Sequence, residues 1–319
     1  GSSDGTGTSA QFSIPWGIAN DGTNLYVADH LNNKIRKIVI GTGVVTTLAG
    51  SGSSGSSDGT GTSASFRSPI GLTIDGTNLY VVDQGNNKIR KIVISTGVVT
   101  TLAGSGSRGS SDGTGTSASF AYPIGLTIDG TNLYVGDQSN HKIRKIVIGT
   151  GVVTTLAGSG SSGSSDGTGT SASFRSPIGL TIDGTNLYVV DQGNNKIRKI
   201  VISTGVVTTL AGSGSQGSSD GTGTSAQFKY PRGITSDGTN LYVTDNGNHK
   251  IRKIVISTGV VTTFAGSSYS GTSDGTGTSA QFNSPNGITS DGTNLYVADQ
   301  DSHRIRKIVI STGVVTTLA

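Results

Sequence analysis

The 319 residues include no cysteine and no methionine, which excludes a disulfide framework and a thiolate metal site. No apolar run approaches the roughly 20 residues that span a bilayer as a helix, and no charged, apolar, small-residue leader precedes Gly1, so the chain reads as soluble and leaderless, with no membrane partner. Glutamate does not occur, and the net charge of +4 comes from lysine and arginine set against aspartate alone.

The phrase Asp-Gly-Thr-Asn-Leu-Tyr-Val begins at Asp21 and returns unchanged at Asp75, Asp129, Asp183, Asp237 and Asp291, a constant step of 54 residues. Fixed spacing of this kind marks a repeat architecture, and it replaces the two domains that length alone suggests with a single array. The units are 1–54, 55–108, 109–162, 163–216, 217–270 and 271–319.

In the first unit, Gly1 to Phe12 is a Gly/Ser/Thr-rich loop closed by an aromatic that is expected to pin it to the core; Phe66, Phe120, Phe174, Phe228 and Phe282 repeat it. Pro15–Asn20, Leu25–Asp29, Lys34–Ile40 and Val44–Leu48 read as strands, since Val, Ile, Tyr and Thr dominate them and no helical period appears. Asp21-Gly22-Thr23 and Gly41-Thr42-Gly43 supply short turns of residues that tolerate positive φ. Four strands joined in this way form an antiparallel meander, and meanders in series bury both faces of every sheet when they pack radially. The predicted fold is an all-β six-bladed β-propeller, each blade a four-stranded antiparallel meander. A linear solenoid would need atypical terminal repeats, and the first and sixth units are ordinary. The stretch from Gly50 to Ile70 is long for a bare loop; it is expected to carry a turn at Asp58-Gly59-Thr60 and to cover the blade edge.

Pro-x-Gly-Ile at Pro15, Leu-Tyr-Val-Ala-Asp at 25–29 and Asn-x-Lys-Ile-Arg-Lys at 32–37 resemble the NHL repeat, and six copies cover the whole chain. The resemblance implies the propeller fold. Its members serve as protein-, RNA- or ligand-binding modules, as extracellular sensor domains in bacteria and occasionally as metal-dependent lyases. The Gly/Ser/Thr-rich inserts with Gly-Val-Val-Thr-Thr-Leu-Ala-Gly are similar to long-repeat bacterial versions. An extracellular or periplasmic location is implied by that resemblance only.

Every unit carries three aspartates, as in Asp4, Asp21 and Asp29, and three cations, as in Lys34, Arg36 and Lys37, which cancel. The excess is Arg67, Arg108, Arg175, Lys229 and Arg232 against Asp301. In a meander, the turns after strands one and three lie at one end of the blade and the turns after strands two and four at the other. The first end is nearly invariant among the copies. Differences gather at the second, as in Ser13-Ile14-Pro15-Trp16, Ala121-Tyr122-Pro123-Ile124 and Lys229-Tyr230-Pro231-Arg232. That face reads as individualised for a partner.

The residue after the proline opens the innermost strand, so Trp16, Ile70, Ile124, Ile178, Arg232 and Asn286 are expected to ring one mouth of the central channel. An apolar arc then faces a polar one, with Arg67, Arg175, Lys229, Tyr122 and Tyr230 around the rim. Such a make-up suits a ligand pocket, and the arginine favours a carboxylate or phosphate. The alternative is that the isoleucines plug the channel and Arg232 points to water.

Other chemistry is poorly served. His30, His141, His249 and His303 fall on the same face, but zinc–nitrogen bonds of about 2.0–2.1 Å require ligands near the axis, so solvated loop histidines are expected. The loop at Asp4 has one carboxylate, too few for calcium, and reads as an Asx-type turn. Asp29 and its copies are expected to bond backbone amides or Arg36. No serine stands at a strained turn after a strand, which leaves no catalytic triad. The Lys-Ile-Arg-Lys runs circle the whole ring with balancing aspartates, and read as solvated outer strands rather than a nucleic-acid stripe.

The expected function is a non-enzymatic, monomeric binding or scaffold propeller that takes a small anionic or amphipathic ligand or a protein segment, with no metal and no cofactor. Two alternatives stay open. A designed or recently amplified scaffold without a natural ligand is suggested by the identity of residues 55–107 and 163–215. A metal-dependent lyase or hydrolase is the other, as in some members of the resembled family.

Overall fold

The structure, a computed structural model, describes residues 1–319. Six antiparallel sheets follow one another along the chain, each built from one repeat and none sharing a strand with its neighbour. In blade one the inner strand Pro15–Asn20 pairs with Asn24–Asp29, which pairs with Lys34–Val39, which pairs with Val44–Ala49. These are the four strands the residue types predict. A fifth, Gly5–Thr6, pairs with Val44 and Val45 on the outer edge, so each blade has five strands rather than four. An outermost strand leaves a row of N–H and C=O groups unpaired; two residues of the Gly/Ser/Thr loop cover them without any hydrophobic pattern to announce it.

The turn that joins the two inner strands is built by Asp21. Its Oδ1 accepts from the amides of Thr23 (2.8 Å) and Asn24 (2.6 Å), and its Oδ2 from the Tyr26 hydroxyl at 2.9 Å. Burial alone would raise the Asp21 pKa, but the donors from Asn24, Thr23 and Tyr26 outweigh it and leave the carboxyl lowered. Leu25, Tyr26 and Val27 and their copies are fully buried between blades.

The Lys-Ile-Arg-Lys run departs from expectation. It forms the third strand, and its arginine is fully buried in all six blades rather than solvated. A buried cation needs most of its donors met, and here both Nη groups are bonded while Nε is buried without a partner in all six blades. Arg36 donates from Nη1 to Asp29 (2.8 Å) and to the Gln11 carbonyl (2.9 Å), and from Nη2 to Asp4 (2.7 Å) and to the Ser3 carbonyl (2.9 Å). The guanidinium sits 5.2 Å from the centre of the Phe12 ring, which is itself buried and anchors the long loop as expected. Asp4 therefore serves an ion pair and the Thr47 amide and hydroxyl, not an Asx turn. Asp29 bonds the Ser13 amide as well as Arg36, in line with its structural reading.

The Pro-x-Gly signature is an interblade device. Pro15 pairs with Asp29 and Ile18 with Val27, which leaves Trp16 and Gly17 in a bulge. A Cβ on Gly17 would stand 2.0 Å from the Ile70 carbonyl oxygen of the next blade. Gly71, Gly125, Gly179 and Gly233 repeat the approach, and Gly287 makes it to Trp16 at 2.2 Å, so the seam between blades six and one matches the others. Ala319 packs in one apolar cluster with Ala10, Phe12 and Tyr296. The ring closes by packing, with no strand exchanged.

Candidate functional site

The bulge sets the geometry of the channel. It turns the residue after each proline toward the axis, and Trp16, Ile70, Ile124, Ile178, Arg232 and Asn286 line one small cavity of about 80 Å³ at the variable face. Below it, Ile18, Leu72, Leu126, Leu180, Ile234 and Ile288 form an apolar girdle, which also bounds a second chamber of about 130 Å³ opening toward the other face.

The isoleucine arc is not an open wall. Ile70, Ile124 and Ile178 are nearly fully buried and cluster together with Trp16 packed on them, so they plug the channel. Arg232 is half-buried at the mouth, with Nε covered and neither Nη among the buried unpartnered atoms. Its guanidinium lies 4.8 Å from the centre of the Trp16 ring, its Nε is buried without a partner, and none of its nitrogens reaches a carboxylate. Desolvation lowers its pKa, partly offset by the charge of Asp301, and the group stays protonated. Asn286 is buried; its Nδ2 donates to Gln300 Oε1 and its carbonyl accepts from the Thr244 hydroxyl at 2.7 Å.

His30 completes this corner. Its ring is 5.4 Å from that of Trp16, and its Nδ1 lies 3.3 Å from the Pro69 carbonyl. Burial lowers its pKa against the pull of the Pro69 carbonyl and the Asp29 charge. Arg67, Arg175, Lys229, Tyr122 and Tyr230 do not line the cavity and lie on the surrounding face. Arg67, Arg175 and Lys229 lie along glycines: a Cβ on Gly85 or Gly193 would fall 2.5 Å from the arginine Cγ, and one on Gly247 2.8 Å from the lysine Cγ. Arg108 stacks on the Tyr122 ring and bonds its hydroxyl.

The other histidines are not free loop residues. His141, His249 and His303 sit in the left-handed region, and each Nδ1 accepts from the amide of a residue in the next blade: Ser176 (3.2 Å), Ser284 (3.2 Å) and Ile14 (3.1 Å). Asn33, Asn87 and Asn195 do the same with Oδ1 for Ser68, Tyr122 and Tyr230. Sequence reasoning missed this staple, although the alternation of only Asn and His at one repeat position was its signal. No three His or Asp side chains gather in a metal-holding arrangement.

No family model matches the chain. The Arabidopsis thaliana protein SUPPRESSOR OF QUENCHING 1, chloroplastic, is 30% identical over 324 residues, and NHL repeat-containing protein 2 of Gallus gallus 28% identical over 349; each match covers 94% of this chain. The chain is homologous to NHL-repeat proteins. It spans 30% and 47% of the length of those two relatives. Among solved structures, the chain is similar to a Bacteroides thetaiotaomicron structural genomics protein of unknown function (TM-score 0.73, 25% identity, 96% of this chain and 72% of that one). An auxiliary nutrient binding protein of the same organism follows (TM-score 0.71, 19% identity, 97% and 70%). Virginiamycin B lyase of Staphylococcus aureus is more distant (TM-score 0.54, 16% identity, 99% and 87%). The last two likenesses concern the fold alone.

Proposed function

We propose that this propeller is a binding module rather than an enzyme, and that the mouth on its variable face takes the anionic group of a ligand or protein segment. The observation that carries the reading is Arg232. The six skeleton arginines are each paired with two aspartates, whereas Arg232 is held over Trp16 at the mouth with no carboxylate in reach. A guanidinium fixed by stacking keeps its edge donors free for a bidentate carboxylate or phosphate. Arg67, Arg175 and Lys229 add positive potential around it, and Asp301 is the one acidic departure from the repeat. The plugged channel limits the contact to the surface formed by Arg232 and Trp16, with the isoleucines as its floor. Binding or scaffold roles also suit the NHL-repeat and nutrient-binding propellers that the chain resembles. The lyase reading finds no support at the mouth, where Trp, Ile, Arg and Asn stand and no carboxylate–histidine pair faces the axis.

Trp16 is the chain's single tryptophan, so its emission reports on the mouth. Titration with acetate, succinate, phosphate and acidic peptides is expected to change that emission in the parent and to be about 10- to 100-fold weaker in Arg232→Ala, the loss of one charge-assisted bond. No response in the parent, or an equal response in both by calorimetry, removes Arg232 from the site and leaves a scaffold without a ligand, the reading favoured by the identity of blades two and four.

A further inference from the structure

The second chamber lies on the face that differs least among the repeats, and nothing in the mouth reading uses it. Its wall is the lower half of the inner strands, Thr73, Thr127, Thr181, Thr235, Thr289 and Asn20, with the Ile/Leu girdle above them shared with the mouth cavity. Thr289 Oγ1 accepts from Asn20 Nδ2 at 2.7 Å, and it is the only one of the five hydroxyls with a protein partner. Thr127 is the sharpest case, since it is only 9% exposed and its hydroxyl, with no partner, faces the chamber. Thr127 Oγ1 and its unpartnered neighbours are open to the chamber, so they are free to bond a guest with polar hydrogens or water. Its volume of about 130 Å³ holds a guest of several heavy atoms.

The chain leaves this wall through the Asp-Gly-Thr turns. Asp21 and Asp75 follow chamber residues directly and Asp129, Asp183, Asp237 and Asp291 come one residue later, all exposed or half-exposed in the turns that end the wall. Their bonds run within their own turns, yet their charges have no counter-ion among the ion pairs of the molecule. A neutral, acceptor-rich cup behind a ring of negative charge draws in cations and solvates one that carries N–H donors. A bare metal ion would want carboxylates in its first shell, and inside the cup there are none.

We infer that this chamber binds a small organic ammonium group, either a free alkylamine or an amine at the tip of a larger molecule. The ammonium donates to the hydroxyls of Thr73, Thr127, Thr181 and Thr235, the alkyl part packs on the girdle, and the aspartate ring supplies the attraction. The site is separate from the Arg232 mouth and stands or falls independently of it.

Calorimetry with n-propylammonium chloride tests the assignment, with 1-propanol and potassium chloride as matched neutral and metal probes. The parent is expected to bind propylammonium with a millimolar dissociation constant, in keeping with so few atoms, and more weakly as salt rises. Thr127→Val with Thr181→Val keeps shape and strand propensity, which unchanged melting would verify, and is expected to weaken binding at least about tenfold. Asp129→Asn with Asp183→Asn keeps the Oδ1 acceptor of the turn amides, gives up the Oδ2 acceptor of the Tyr134 and Tyr188 hydroxyls, and in the folded variant is expected to flatten the salt dependence. Arg232→Ala should leave all of this unchanged. Absence of propylammonium binding, equal binding of propanol or potassium, or full binding by the folded double valine variant would each overturn the site.

Discussion

Asparagine and histidine do the same work at one position of this repeat, and acid separates them. Each staples its blade to the next by accepting a backbone N–H, but histidine can accept at Nδ1 only while that nitrogen carries no proton. At His249 burial lowers the pKa below 6.5, Lys229 adds to the effect and Asp301 opposes it. The folded state then prefers the neutral ring more than the unfolded chain does. Its contribution is complete above the unfolded value of about 6.5 and is lost as pH falls through that value toward the folded one. Melting temperature is accordingly expected to drop between about pH 7 and 5. The variant His249→Asn should melt with a flatter profile over that range; a pH profile identical to the parent's would remove this staple from the account. Tyr134 supplies a second residue-scale test. It is fully buried and its hydroxyl donates to Asp129 at 2.8 Å. Tyr134→Phe should cost about 1 kcal/mol for the bond and Tyr134→Ala about 3–5 kcal/mol for the cavity as well. A Tyr134→Ala variant that melts with the parent would contradict the interblade placement.

Within a blade, the long cations of the variable face are bought by glycines. Where Arg67, Arg175 or Lys229 precedes the inner strand, Gly85, Gly193 or Gly247 stands opposite; where Ser13, Ala121 or Asn283 stands instead, the partner is Leu31, Ser139 or Asp301. The backbone bond between the two positions follows suit, 2.8–2.9 Å in the glycine blades and 3.1–3.2 Å in the others. Gly193→Leu should therefore destabilise, Arg175→Ser should be close to neutral, and the double variant, which copies blade one, should recover part of the loss. A cycle with zero coupling would mean that the pairing is accidental. The same comparison shows what the sequence could and could not disclose. The four main strands were legible because β-branched and aromatic residues fill them between Gly-rich turns. Gly5–Thr6 was not, because an edge strand of two small residues leaves no pattern. Arg36 looked solvated because one of its two carboxylate partners, Asp4, comes from the start of the unit, and only the folded blade brings it beside Arg36 and Asp29. At the mouth, the place of Trp16, Arg232 and Asn286 followed from the proline register, whereas the burial of Ile70, Ile124 and Ile178 depended on how closely six glycines let the inner strands approach. The threonine chamber lay unnoticed because an unvarying turn reads as scaffold.

For the molecule as a whole, the seam between blades six and one has the glycine against a carbonyl and the staple, here from His303 to Ile14, that the other five have, and adds a bond from Asn20 to Thr289 found at no other seam. The position of the chain ends should then matter little. Joining Ala319 to Gly1 through Gly-Ser-Gly-Ser-Ser, the spacer found at 50–54, and opening the chain between Ser162 and Gly163 is expected to give a circular permutant with a melting temperature within a few degrees of the parent or above it. A permutant that fails to fold would show that the first seam has a special role. The glycine contacts have a further effect on inheritance. Residues 55–107 and 163–215 are identical, so an exchange between them at the level of the chain would remove or add two whole repeats without changing any junction. Each product would still have compatible edges, but a ring of four or eight blades needs a different angle between neighbours, and Gly17 and its kin, which leave no space for even a Cβ against the next carbonyl, give little room for one. The smallest residue in the repeat thus acts as a turnstile, counting blades and letting only a chain of the right multiplicity through.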